Sequence, residues 1–289
     1  MPELPEVESL AAFLRAHATG HAVARADAAS FSVLKTFDPP LTALNGQVIT
    51  DVGRHGKFLD IATDQGLHLI MHLARAGWVR WRDEVPALPA RPNSKSPLAA
   101  RIVLDNGAGL DITEAGTRKS LALYVVRDPS EVEGIARLGP DPLAEDFTIE
   151  VLSDILQGAG RAQIKGVLRL QSNIAGIGNA YSDELLHAAR LSPFKPSNSL
   201  DATELETLYD AIRTVLGDAV IRSAGLAASE LKGEKKSHLA VHGRAGEKCP
   251  VCGDTVREVS FADSSLQYCP TCQTGGKPLA DRRMSRLLK

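Results

Sequence analysis

Apolar positions near the start of the chain recur at helical spacing. Val7, Leu10, Ala11 and Leu14 share one face, Pro5 suits the first turn, and Gly20 marks the end. The pattern then switches to alternation. In Gly66–Leu73, the side chains of Leu67, Leu69, Met71 and Leu73 fall on one side of an extended segment. Arg101–Asp105 and Leu110–Thr113 flank Asn106-Gly107, a dipeptide that favours a tight hairpin turn, and Leu121–Val126 reads as another apolar strand. Short strands separated by turns predict a β-sandwich of roughly 110 residues. Two prolines and a glycine in Leu138-Gly-Pro-Asp-Pro-Leu143 end this character, and helices follow. Asp201-Ala-Thr-Glu204 has capping-box spacing ahead of Leu205, Leu208, Ile212 and Val215. Ala175-Gly-Ile-Gly-Asn179 reads as a turn joining two helical stretches. After Arg222 comes a polar, Lys-rich segment, then a cysteine module in which Val256–Phe261 and Leu266–Tyr268 form a hairpin.

The length of 289 residues accommodates two domains. No run of about 18 apolar residues suggests a membrane span. The acidic start MPELPEVESL lacks the basic and apolar regions of a secretory signal, so a cytoplasmic, membrane-free protein is expected. The net charge of −2 argues against a polyanion partner until its distribution is read. From Lys232 to Lys289 there are 11 Lys/Arg against 6 Asp/Glu, which leaves the remainder at −7. A basic end on an acidic body fits a local polyanion site; a solvated basic tail is the alternative.

Three features carry candidate chemistry. Cys249-Pro-Val-Cys252 and Cys269-Pro-Thr-Cys272 are two C-x-x-C pairs separated by 16 residues. In a cytosolic chain they read as a zinc site, with a redox dithiol pair as the rival. Four thiolates would satisfy one tetrahedral Zn2+ and leave no open position, so the metal is structural. At the turn after Ala175, glycines 176 and 178 allow close approach of another chain, and Asn179 opens a helix whose free N–H groups suit a phosphate. Lys165, one helix earlier, is placed to reach the same phosphate; a packing turn is the plainer reading. Finally, methionine before proline is normally removed, which exposes the secondary amine of Pro2, with Glu3 and Glu6 a few residues away. Such an amine attacks a sugar C1′, displaces the base and gives an iminium ion. By itself the segment also reads as a simple helix start.

Together these features resemble the bacterial formamidopyrimidine-DNA glycosylases, relatives of endonuclease VIII. Met1-Pro-Glu-Leu-Pro-Glu-Val-Glu8 is similar to their N-terminus, Gly53-Arg-His-Gly-Lys57 to their catalytic lysine loop and Leu138–Leu143 to their interdomain linker. Ile164-Lys165, Gln171 and Ala175–Tyr181 resemble their helix–two-turns–helix, and Val241–Glu247 with the four cysteines resembles their zinc finger. The resemblance implies an α+β protein: an N-terminal helix plus β-sandwich (1–137), a linker (138–148), a helix–two-turns–helix domain (149–235), a four-cysteine zinc finger (236–275) and a basic tail (276–289). It implies a DNA glycosylase and apurinic-site lyase of base excision repair, monomeric, working on damaged DNA in the bacterial cytoplasm. Pro2 would be the Schiff-base nucleophile, Glu3 the general acid, Glu6 its support, and Lys57 a proton donor and phosphate holder. His72, Lys165, Asn179, Tyr181 and Ser264 would contact the DNA.

The chain departs from the family pattern in three places. Relatives carry an arginine on the zinc hairpin where this chain has Ser264. Their void-filling Met, Arg and Phe give way to Arg75 and to the stretch Thr117–Lys119. The segment Gly225–Leu239 is shorter and Lys-rich, which leaves the excised base open. A damage-binding protein with vestigial chemistry and a protein-binding zinc-ribbon adaptor are the competing readings.

Overall fold

The computed structural model describes residues 1–86, 96–117, 119–261 and 264–280. It divides into two compact units: Met1–Leu138 with Arg222–Gly233, and Gly139–Ile221 with the residues from Glu234 on.

The first unit opens with α1 (Leu4–Ala18), whose Val7, Leu10, Ala11 and Leu14 are buried, as their spacing predicts. Gly20 follows its last turn with a φ of 86°. The strands are β1 (Val23–Ala28), β2 (Ile49–His55), β3 (Phe58–Thr63), β4 (His68–His72), β5 (Gly77–Arg82), β6 (Leu98–Leu104), β7 (Gly109–Glu114) and β8 (Ala122–Val126). They form two antiparallel four-stranded sheets, ordered β1-β6-β7-β5 and β2-β3-β4-β8. One apolar core draws on both sheets and on α1: Leu69 and Met71 from β4, Ile102 and Leu104 from β6, Leu10 and Leu14 from the helix. The expected sandwich is therefore present.

The Asn106-Gly107 hairpin forms, but not through the mirror-image turn that needs positive φ at both central residues. Only Gly107 of the pair has positive φ, at 84°. Asn106 instead uses its side-chain oxygen to accept the Ala108 N–H at 3.0 Å, and Gly107 N–H donates to Leu104 O at 3.1 Å. After β8, α2 (Glu133–Ala136) leads to the end of this stretch.

The second unit contains α3 (Ile149–Gly158), α4 (Ile164–Arg169), α5 (Asn179–Ala188) and most of α6 (Ala202–Ser223). The predicted capping box starts α6: Glu204 N–H donates to Asp201 Oδ1 at 2.9 Å, and Asp201 N–H to Glu204 Oε2 at 3.1 Å. Leu152, Leu168, Leu185, Leu208 and Ile212 pack these helices together. The stretch beginning at Gly139 is stitched to the α4–α5 turn, with Gly139 N–H on Gln171 O and Ala175 N–H on Pro140 O. A side chain at 139 would put its Cβ 2.5 Å from Asn173 O, so glycine is required there.

The Lys-rich segment differs from its polar reading. It forms α7 (Leu231–His238), because Leu231 and Ala228 bury themselves in the sandwich core and anchor the start of the helix. Trp78 Nε1–H donates to Ala228 O at 2.8 Å, and the hydroxyls of Ser9 and Ser223 meet at 2.7 Å. The chain thus returns to the first unit before it enters β9 (Arg257–Ser260), β10 (Ser265–Tyr268) and α8 (Pro270–Thr274) of the cysteine module. The basic residues Arg282, Arg283, Arg286 and Lys289, and Arg118, lie outside the described residues.

Candidate active site and metal centre

In the first unit, Pro2 is buried immediately before α1. Glu3 is the N-cap of α1 and Glu6 its third residue. Each carboxylate accepts the backbone N–H of the other, and Glu3 N–H reaches Glu6 Oε2 at 2.8 Å. Both carboxyls are buried, so the acid groups beside Pro2 are held by the start of the helix itself.

Lys57 follows the β2–β3 turn, where Gly56 has a φ of 55°, and is 7% exposed. Arg54 supports this turn. Its Nε–H donates to Glu8 Oε2 on α1 at 2.8 Å, and its Nη1 to Gly56 O at 3.3 Å. Arg54 thereby fastens the lysine turn to α1, the helix that follows Pro2 and Glu3. Sequence reasoning quoted Arg54 within the lysine loop but gave it no role; a buried arginine and its partner 46 residues away are visible only in three dimensions. His72, at the end of β4, packs against Phe58 with ring centroids 4.7 Å apart. Burial, and then the Lys57 charge, push its pKa below the usual histidine value.

In the second unit, α5 organises the remaining candidates. Its N-cap is Gly178, not Asn179. The Asn179 side chain instead donates from Nδ2 to Ser265 O at 2.8 Å, which ties the helix start to the hairpin beside Ser264. Gln171 spans the turn between α4 and α5, accepting Gly176 N–H at 3.0 Å and donating to Ile177 O at 2.7 Å. Tyr181 is buried, with the Lys235 ammonium 4.6 Å from its ring centroid. Lys165 points inward. Its ammonium bonds Asp183 Oδ1 at 2.6 Å, Ser182 Oγ at 2.7 Å and Asn179 O at 3.1 Å.

Asp183 and Glu184, which sequence reasoning passed over, join α5 to the cysteine module. Asp183 Oδ2 accepts His242 Nδ1–H at 2.7 Å and Gln267 N–H at 3.2 Å. Glu184 accepts the N–H groups of Ala240, Val241 and His242 at 2.6–3.0 Å. Burial raises the Glu184 pKa even against these three donors. Two adjacent acids on a helix carry no sequence signal for this duty.

The four cysteine sulfurs lie within 4.8 Å of one another, with Cys249–Cys272 at 3.9 Å and Cys252–Cys269 at 3.3 Å. Four ligands about 2.3 Å from a tetrahedral zinc would stand about 3.8 Å apart, so the donor set fits one Zn2+. Cys249-x-x-Cys252 forms a turn in which Gly253 N–H meets Cys249 O at 2.9 Å, and Cys269 caps α8. Burial pushes the metal-free Cys269 thiol up to about 11 and raises Cys272 as well.

Three family models match in order. Residues 1–121 match the formamidopyrimidine-DNA glycosylase N-terminal domain, 138–230 its H2TH domain, and 246–275 the zinc finger found in FPG and IleRS. The chain belongs to the formamidopyrimidine-DNA glycosylase family. A relative from Symbiobacterium thermophilum, named formamidopyrimidine-DNA glycosylase, is 33% identical over 98% of this chain and 93% of its own length. The crystal structure of MutM (Fpg) from Thermus thermophilus superposes with a TM-score of 0.79 at 33% identity, covering 96% of this chain and all of that one. The Lactococcus lactis Fpg in complex with abasic-site DNA superposes with a TM-score of 0.81 at 26% identity, over 94% and 99% of the two chains. A formamidopyrimidine-DNA glycosylase-like protein of Mycobacterium tuberculosis is 60% identical over 53% of this chain and 94% of its own length. The chain is accordingly a base-excision-repair DNA glycosylase with one structural zinc.

The turn that carries Arg75 and the loop that follows β7 lie side by side. Gly77 pairs with Glu114 across β5 and β7, and Ala115 N–H donates to Ala76 O. Arg75 is exposed at a turn in which Ala74 takes a left-handed φ of 51°. In the facing loop, buried Glu114 accepts the Ser120 and Leu121 N–H groups, and the Lys119 ammonium donates to Glu114 O at 2.6 Å. Ser264 sits at the turn of the β9–β10 hairpin, where its carbonyl accepts Phe261 N–H at 2.7 Å.

Proposed function

We propose that this glycosylase is also an abasic-site lyase, acting on damaged DNA through the amine of Pro2. Once Met1 is removed, the amine displaces the base at C1′. The C1′–N bond breaks, and the base leaves with its electron pair and takes up the proton that the attacking amine gives up. Opening of the sugar ring, with O4′ taking a proton from Glu3, gives an iminium ion joined to Pro2. Glu6 supports Glu3 by fixing its backbone N–H. Lys57 protonates or steadies the sugar and phosphate, and His72, held toward its neutral form, contacts the backbone. Loss of a C2′ proton then expels the 3′ phosphate and cuts the strand.

Asn179, Tyr181 and Ser264 contact the phosphates at the flipped nucleotide. Lys165 serves that clamp by holding the first turn of α5, since its ammonium is already paired with Asp183. Zinc, when bound, cross-links four thiolates and presents no open position to substrate. The protein works as a cytoplasmic monomer on the nucleoid; no described helix is long and apolar enough to cross a membrane.

The observation that carries this reading is the N-terminus: a buried proline preceding a reciprocal Glu3–Glu6 box, with Arg54 fastening the same helix to the Lys57 turn. The relative solved with abasic-site DNA supports the choice of substrate. Borohydride trapping on abasic DNA tests it. Wild-type protein should form a covalent adduct, Pro2→Gly a weaker one, and protein with an uncleaved N-terminal tag none. Equal trapping by the tagged protein would move the nucleophile elsewhere, with Lys57 next in line. Failure of wild-type protein to trap would favour a damage-binding protein with vestigial chemistry, for which the altered wedge loops speak.

A further inference from the structure

His187 has no part in the chemistry above, yet its imidazole Nε2 lies 3.3 Å from Cys249 Sγ. Both groups are buried, at 5% and 2% exposure. We infer that His187 is a positioning residue of the zinc centre: its Nε2–H donates to the Cys249 thiolate and ties α5 to the metal.

The charge of the centre supplies the first reason. Zn2+ with four thiolates carries a net charge of −2, and buried negative charge requires hydrogen-bond donors. At Cys249 the imidazole of His187 stands within reach to supply one. A thiolate only accepts, so the proton must sit on Nε2.

Helix geometry supplies the second reason. Asp183, Glu184 and His187 are spaced so that they share one face of α5. The first two already bind the segment entering the cysteine module and strand β10. Just past the helix, Leu191 O accepts Gln273 Nε2–H from α8 at 3.0 Å. His187 is the contact of that face that reaches the metal ligands themselves. Asn179 lies eight residues away on the same helix, about 12 Å at 1.5 Å per residue. A donated hydrogen bond withdraws electron density from the sulfur, which slows its attack by electrophiles and holds the metal longer.

The test compares the zinc-loaded protein with His187→Phe, which keeps a ring without a donor, and His187→Gln, which keeps an N–H. In competition with a chelator, His187→Phe should bind zinc about tenfold more weakly or worse. In the Co2+-substituted protein its sulfur-to-metal charge-transfer band should move to longer wavelength, because the released thiolate holds its electrons less tightly. His187→Gln should recover much of both. Unchanged zinc affinity in His187→Phe, or equal losses in the Phe and Gln variants, would reduce His187 to packing and overturn the inference. Should His187→Phe not fold, wild-type protein carrying 113Cd and 15N-histidine decides the matter. A proton on Nε2 coupled to cadmium through the sulfur supports the bond, and an unprotonated Nε2 overturns it.

Discussion

Lys165→Met removes one half of the ion pair that joins α4 to α5. The ammonium lies 2.6 Å from Asp183 Oδ1, with side-chain exposures of 7% and 0%. Breaking a buried pair by deleting one partner costs about 3–5 kcal/mol, because the other charge stays buried without its partner. The lower figure applies, since Asp183 keeps His242 Nδ1–H and Gln267 N–H on its other oxygen. A loss of about 3 kcal/mol changes the folding equilibrium about 100-fold. Urea unfolding of the zinc-loaded protein should show it as a lower midpoint at unchanged slope. The double variant Lys165→Met/Asp183→Asn should lose less than the sum of the single losses, by about 1 kcal/mol or more, because neither charge is then stranded. The same proteins separate a positioning role from direct phosphate contact. A lost phosphate contact lowers the salt dependence of duplex binding by about 0.9 in the log–log slope, whereas Lys165→Met should leave that slope unchanged. A stability loss below about 1 kcal/mol, or additive single losses, would refute the buried-pair reasoning.

Further outcomes follow from other parts of the structure. Cys269→Ser should lose zinc and weaken DNA binding, read by metal analysis and DNA titration; full glycosylase activity in verified zinc-free protein would contradict a structural metal. The raised thiols of Cys269 and Cys272 are protonated in the metal-free protein at neutral pH, so zinc must displace protons. Chelator competition should therefore show zinc affinity rising with pH between about 6 and 8, and a flat profile would be the wrong sign. Ser264 offers a hydroxyl where the family resemblance implies a guanidinium, so strand cleavage should stop mainly after one elimination. A sequencing gel reads this as a 3′ unsaturated aldehyde; mostly 3′ phosphate, from full-length protein and from protein truncated after Gly276, would sink the idea. Arg54→Ala should lower the rate of base release about tenfold or more by loosening the Lys57 turn, with abasic-DNA affinity little changed; an unaltered single-turnover rate would deny that role.

Much of the architecture was legible because it rests on local rules. Period and caps placed α1, α6 and strands β4, β6, β7 and β8, since each follows from neighbours within four residues. The metal centre was equally plain, because two C-x-x-C pairs bring their own geometry with them. Pro2, Glu3 and Glu6 could be singled out because they are adjacent, and the box they form is itself a local motif. The family followed from several such motifs in order along the chain.

Partnerships across long sequence separations were not legible. The sequence sets Lys165 one helix away from a phosphate-binding turn, but only packing turned its ammonium inward to Asp183. The Lys-rich stretch after Arg222 reads as polar surface, yet Ala228 and Leu231 carry it back to the sandwich core, 150 residues from Trp78. Arg54, Glu184 and His187 have no special neighbours in sequence and acquire their duties from groups on other elements. Sequence by itself determined the first helix, several strands and the four metal ligands, because hydrogen bonds and side-chain periodicity within one segment suffice for those. Tertiary structure decided which charges are neutralised and which helix carries the zinc module. Burial leaves a polar group to find its partner wherever the fold brings one within about 3 Å.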